Sequence, residues 1–278
     1  MSEKRLALVT GTGALVPRAI AAAREQGWVV RVFMFVPRDD LAHEEPFQLR
    51  ISRPDQALRE VRRFGATHVC VVGGTHLSDK DREDLAAIAD DTPRREKQEG
   101  RGDAALTRLG NKLLAMLGIP FIGVHEIISD LLAPEGRIAG PEPDATLTRT
   151  LRFAADTARR AGGFDLGQAA VVSGGRVIAI EDIGGTDLLL RRCAEFRAQG
   201  LIGDGAGRLV LGKTSKPGQP RHIDLPAIGP DTISGAVAAG IRGIAVEAGR
   251  TLLIEREALV AAADAAGISL VGFVFSDG

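Results

Sequence analysis

The apolar positions along the chain change period repeatedly, and each change marks an element. Over the first 125 residues, short runs rich in Val, Ile and Phe at 6–10, 28–35, 68–72 and 120–124 are bounded by Gly or Pro and predict strands. Between them, segments 17–26, 54–64 and 79–89 repeat apolar residues at helical spacing, with Pro17 and Pro54 suited to first helical turns. This alternation predicts a Rossmann-like βαβ domain. Segment 132–143, LAPEGRIAGPEP, concentrates three prolines and two glycines and reads as an interdomain linker.

Beyond it the pattern resumes with an amphipathic helix at 146–161. Two alternating runs over 169–180 meet at Gly174-Gly175, a hairpin signal of the type I′ kind. A helix at 187–198, a strand at 208–212, a Gly/Pro-rich loop at 215–230 and a helix at 231–239 follow. Paired strands around 244–246 and 251–253, a helix at 256–266 and a strand at 269–275 complete the chain. The expected fold is therefore two α/β domains: an N-terminal nucleotide-binding domain over 1–132, a linker over 133–143, and a C-terminal mixed-sheet domain over 144–278.

Composition narrows the function. The chain has 278 residues, and 35 basic against 36 acidic side chains leave a net charge of −1. That balance argues against a general nucleic-acid binder, so any anion site must be local. Cys70 and Cys193 lack CxxC spacing, and buried thiols in a reducing cytosol are the expectation. The polar start leads directly into the first strand without a signal-peptide core, and no apolar run approaches the roughly 20 residues of a membrane span. A cytoplasmic protein is expected.

Three places carry candidate chemistry. Gly11-Thr12-Gly13 follows the first strand and opens a helix, where backbone N–H groups favour a phosphate, and Gly73-Gly74 ends another strand. The third glycine of a dinucleotide fingerprint would fall on Val16, so a tight turn competes with nucleotide binding here. In Glu181-Asp182-Ile183-Gly184-Gly185-Thr186-Asp187 a strand end runs into a glycine turn and a helix start. Thr186 or Asp187 can cap that helix, and Arg191 and Arg192 follow on it; carboxylates and guanidinium groups could meet one anion there. The densest polar stretch, 213–226, holds Lys213, Lys216, Gln219, Arg221, His222 and Asp224 on a loop restrained by Pro and Gly. Its cations could neutralise phosphate oxygens, and Asp224 could ligate a divalent cation or orient water. A solvated surface loop is the competing reading. The charged segment 90–103 reads as a surface loop, and the isolated histidines have no metal-ligand spacing.

Residues 180–192 (IEDIGGTDLLLRR), 216–232 (KPGQPRHIDLPAIGPDT) and 243–249 (GIAVEAG) resemble, in order, three signature blocks of the LpxI family, the UDP-2,3-diacylglucosamine pyrophosphatases of lipid A synthesis. Gly11-x-Gly13, Gly73-Gly74, Gly102-Asp103 and Gly123-Val124-His125-Glu126 extend the resemblance over nearly the whole chain. It implies Mg²⁺-dependent hydrolysis of UDP-2,3-diacylglucosamine to UMP and 2,3-diacylglucosamine 1-phosphate by a homodimer. It places the essential aspartate on Asp224, with Asp187 and Glu181 as candidate further carboxylates. Lys213, Lys216, Arg221 and Gln219 are candidates to meet the diphosphate. Gly11, Thr12, Gly13, Gly73, Gly74, Thr186 and Arg191 are candidates for the nucleotide. A lipid substrate further implies transient peripheral contact with the inner membrane. Rival readings are a nicotinamide oxidoreductase, disfavoured by Val16 and by the absence of any tyrosine, and a non-catalytic nucleotide-lipid sensor.

Overall fold

A computed structural model describes residues 3–50, 53–74, 118–203, 209–219 and 225–275. The helix expected at 79–89, the charged loop at 90–103, the Gly102-Asp103 helix start, and Arg221, His222 and Asp224 lie outside the described residues. The chain divides into two compact units, one reaching Ser129 and the other running from Asp130. No described helix is long and apolar enough to cross a membrane.

In the first unit, β1 (Arg5–Thr10) lies between β2 (Val29–Met34) and β4 (His68–Val72), with β3 (Phe47–Gln48) outside β2; all four strands are parallel. Residues 6–10 are all buried, as the continuous apolar run of a parallel strand covered on both faces requires. Helix α1 (Leu15–Glu25) turns Leu15, Val16, Ala19, Ile20 and Ala23 inward, and α2 (Pro54–Phe64) starts on its proline and stops at Gly65 in the left-handed region. The strand expected at 120–124 is reduced to a single bridge between Phe121 and Val69. Glu126 accepts from the Gly123 amide at 2.7 Å, which starts the short helix α3 (Val124–Ile127) where a strand would have continued.

The second unit is built on a six-stranded sheet. Its strands are β5 (Gly136–Ala139), β6 (Ala169–Ser173), β7 (Arg176–Ile180), β8 (Leu209–Lys213), β10 (Ile241–Glu247) and β12 (Ser269–Phe273), in the order β5-β12-β10-β8-β6-β7. Strands β12, β10 and β8 are parallel, whereas β5, β6 and β7 enter through antiparallel pairings. The expected linker at 133–143 is thus corrected. Gly136 and Gly140, both at positive φ, punctuate a short strand that pairs with β12, and the segment belongs to the sheet.

The hairpin at Gly174-Gly175 is also corrected in type. Only Gly174 has a positive φ, whereas a type I′ turn needs it at both central residues. Nor do the strands near 244–246 and 251–253 pair with each other: β10 lies between β8 and β12, and β11 (Leu252–Leu253) pairs with β9 (Ala227–Ile228) in a separate ribbon.

Helix α4 (Ala145–Gly163) covers one face of the large sheet, packing Leu147, Leu151, Ala154 and Ala155 on Val172, Val210 and Ala245. Helices α5 (Gly185–Ala198), α6 (Pro230–Ala239) and α7 (Arg256–Ala266) cover the other, where Leu189, Leu190, Ile233 and Leu259 meet Val171, Leu211 and Ile244. Neighbouring strand residues alternate between the two cores, as the pleat demands. On the α4 face, a Cβ at Gly212 would lie 2.3 Å from the Ala154 carbonyl, so the helix rests directly on strand backbone there.

Candidate functional site

Topology gathers the polar segments at one edge of the six-stranded sheet. Strand β6 is antiparallel to β7 and β8, so its start, at Ala169, lies beside the ends of both, Ile180 pairing with Ala170 and Lys213 with Ala169. The end of β10 joins them, Val246 pairing with Lys213. The segments at 165–168, 181–187, 213–219 and 247–251 therefore emerge together, although up to 86 positions separate them in sequence.

Side-chain alternation then sorts this edge into two groups. Lys213 shares the parity of Leu211 and projects on the α5 side, where its Nζ donates to Thr186 Oγ1 at 2.8 Å. Thr186 donates in turn to Glu181 Oε1 at 2.6 Å, and Glu181 Oε2 accepts from the Gln168 amide at 2.6 Å. A lysine, a threonine and a glutamate of the expected set thus form one chain of hydrogen bonds. Thr186 faces Glu181 rather than capping its helix. The helix begins two residues earlier than expected, with Gly184 at its cap position, and Asp182 Oδ1 accepts from the Gly184 amide at 2.9 Å.

Asp187 and Arg191 stand apart from this group. Asp187 is exposed in the first turn of α5, and Arg191 is exposed further along it. The neighbouring Arg192 reaches back instead, pairing with Asp182 at 2.5 Å and donating to the Ile180 carbonyl at 2.7 Å. That hydrogen bond, seconded by the Gly184 amide, holds the Asp182 carboxyl below its ordinary range.

On the α4 side the loop is fixed at several points. Lys216 Nζ pairs with Asp165 at 2.5 Å, just past the end of α4, and its amide donates to Gln219 Oε1 at 2.9 Å. Asp165 adopts a positive φ of 57°. Ser215 is held by Glu247 through amide and hydroxyl, at 2.9 and 2.6 Å. Glu247 was not among the sequence candidates. It ends an apolar run, GIAVEAG, that reads as core, and its partner lies 32 residues away. Phe164, Leu166 and Ile183, on the chain segments next to Gln168 and Glu181, are exposed, the first and last at 80% and 89%.

In the first unit the two glycine pairs hold each other. The Thr12 amide donates to the Gly74 carbonyl at 2.8 Å, and the Gly74 amide returns a bond to the Thr12 carbonyl at 3.0 Å. A Cβ on Gly73 would lie 2.4 Å from the Thr12 carbonyl and 3.1 Å from Val16 Cγ2. Close backbone approach thus accounts for Gly11 and Gly73, while Gly13, at φ 106°, leads into α1. Arg38, also missed in the sequence, donates to the carbonyls of Gly13 at 2.8 Å and Gly11 at 3.3 Å, and pairs with Asp40 at 2.6 Å.

Family models match across both units: the LpxI N-terminal domain over residues 5–131 and the LpxI C-terminal domain over residues 134–271. The chain belongs to the LpxI family. A relative from Caulobacter vibrioides, named UDP-2,3-diacylglucosamine pyrophosphatase LpxI, is 34% identical over 280 residues, which cover 97% of each chain.

The LpxI C-terminal match spans all four segments of the sheet edge. Among the described residues of this LpxI-family chain, no three His, Cys, Asp or Glu side chains cluster as a metal cage. Magnesium needs no such cage. It is commonly held by one or two carboxylates with waters and substrate phosphates, and the Glu181 carboxylate is a donor of that type.

Proposed function

We propose that this chain hydrolyses the diphosphate of UDP-2,3-diacylglucosamine, releasing UMP and 2,3-diacylglucosamine 1-phosphate, with Mg²⁺ as cofactor. The observation that carries the proposal is the convergence of Lys213, Thr186, Glu181 and Lys216 on one sheet edge. The chain's similarity to a pyrophosphatase named for that substrate supplies the substrate.

Phosphoryl transfer depends mostly on positioning and on electrostatic stabilisation of the phosphate oxygens. Lys213 is aimed by Thr186, and Lys216 by Asp165, so two ammonium groups are held before substrate arrives. Gln219 fixes the turn that carries Lys216. In the proposal, Arg221 grips a phosphate in two-point fashion and Asp224 orients the attacking water, whose oxygen bonds to phosphorus as the anhydride P–O bond breaks. Asp224, with Asp187 and Glu181, would hold Mg²⁺, which supplies Lewis-acid neutralisation of phosphate charge. The turn at Gly11, Thr12 and Gly13, bonded to Gly74 and closely approached by Gly73 at the carboxyl ends of β1 and β4, is the proposed place for the nucleotide. Phe164, Leu166 and Ile183, exposed on the segments next to Gln168 and Glu181, offer apolar surface for the acyl chains and for a membrane surface.

The test is incubation with UDP-2,3-diacylglucosamine in ¹⁸O-labelled water, with and without Mg²⁺, and mass analysis of both products. UMP is expected with Mg²⁺ and not with a chelator, and the label marks the phosphorus attacked. A folded protein that binds the substrate and releases no UMP would overturn the proposal.

A further inference from the structure

Glu247 ends β10 on the α4 face of the sheet and is 2% exposed. A carboxylate removed from water is costly unless hydrogen bonds and opposite charge replace its hydration. Oε2 receives the two bonds from Ser215. Oε1 lies 3.3 Å from Arg159 of α4 and 3.7 Å from Arg250. Arg250 also donates to the Gln219 carbonyl at 3.2 Å. One buried carboxylate therefore ties down both ends of segment 215–219, the first directly and the last through Arg250. Lys216 lies between the two anchors.

We infer that Glu247 is a positioning residue for the loop bearing Lys216, an inference that rests on the proposed meeting of this loop with the diphosphate. Stability alone gives little reason to bury a charge here. Well-packed apolar residues in place of a buried ion pair often leave stability unchanged or improve it. What the carboxylate supplies is a single geometry for Ser215, Arg250 and the turn between them, and misplacement of a reacting group's support by about 1 Å can cost about 10²-fold in rate. Glu247 makes no contact with the diphosphate in this account, so its loss acts on turnover more than on substrate binding.

The experiment compares wild type, Glu247→Gln and Ser215→Ala by steady-state UMP release, melting temperature and amide exchange of residues 209–219. Glu247→Gln keeps the size and one acceptor oxygen. Its kcat is expected to fall at least about tenfold with KM changed by less than about threefold, while the 215–219 amides exchange faster. Ser215→Ala, which removes one hydroxyl from the loop, is expected to lower kcat several-fold at the wild-type melting temperature, and it carries the test if the glutamine variant does not fold. Wild-type kcat per folded molecule in both variants would overturn the inference. Should the wild type release no UMP, the functional proposal fails by itself; exchange then decides the anchor, faster in Glu247→Gln supporting it and unchanged overturning it.

Discussion

A Cβ placed on Gly11 would lie 2.2 Å from the carbonyl oxygen of Gly74, so the turns that end β1 and β4 approach as bare backbone. Gly11→Ala should destabilise the protein by about 1–3 kcal/mol or more, because neither backbone can yield without breaking its bonds to the other. Gly175→Ala meets nothing within 4 Å and should stay within about 0.5 kcal/mol of wild type. Denaturant unfolding of the two variants measures the difference.

Lys213→Ala should lower kcat by about 10²–10³, the range seen when a preorganised electrostatic donor is removed. Thr186→Val removes the hydroxyl between Lys213 and Glu181 and should cost part of the same loss. The double variant is expected to fall short of the product of the single effects, since all three side chains form one network. Steady-state UMP release on the three variants checks this.

Phe164→Ser with Ile183→Ser should raise KM for the diacylated substrate while leaving kcat near wild type. Both side chains are exposed, and neither contributes to the buried core. A companion measurement is vesicle binding, which should weaken in the same variant.

The Asp182–Arg192 pair sets a pH dependence. The folded carboxyl is depressed below its ordinary value near 3.8, so the stabilisation is present above that value and is lost as pH falls through the depressed one. Asp182→Asn should therefore melt slightly below wild type at neutral pH and together with it below the carboxylate range. The pair is half exposed, which keeps the difference small.

Burial pushes the Cys70 thiol up to about 12 and the Cys193 thiol up to about 11. Both should resist a thiol reagent at pH 8 in the folded protein and react once it is unfolded, because the thiolate is the nucleophile. A colorimetric thiol count before and after denaturant decides the matter.

Much of this architecture was legible because its signals are local. Pro54 starts α2 and Gly65 ends it, and the run at 68–72 is β4. The polar stretch at 213–226 stands out in the sequence by its cations and restraining prolines, and its described part, 213–219, runs on from the end of β8. What escaped depends on partners distant in sequence. β5 hides between glycines and prolines because its pairing with β12 lies some 130 residues downstream. Glu247 hides in an apolar run because strand parity, rather than composition, sends it toward Arg159. Arg38 becomes informative only once β2 lies beside β1 and brings it under the Gly11 and Gly13 carbonyls. Arg191 and Arg192 look alike in sequence, and helical phase decides which one meets Asp182.

The turn at Gly174-Gly175 joins β6 and β7 at the end of the sheet opposite Glu181 and Lys213, with both glycines exposed. That distance makes the turn a handle. A peptide tag or a fluorophore spliced there would sit a full strand length from the charged loops, and would let the enzyme be tethered or watched on a lipid surface while the proposed reacting edge stays clear.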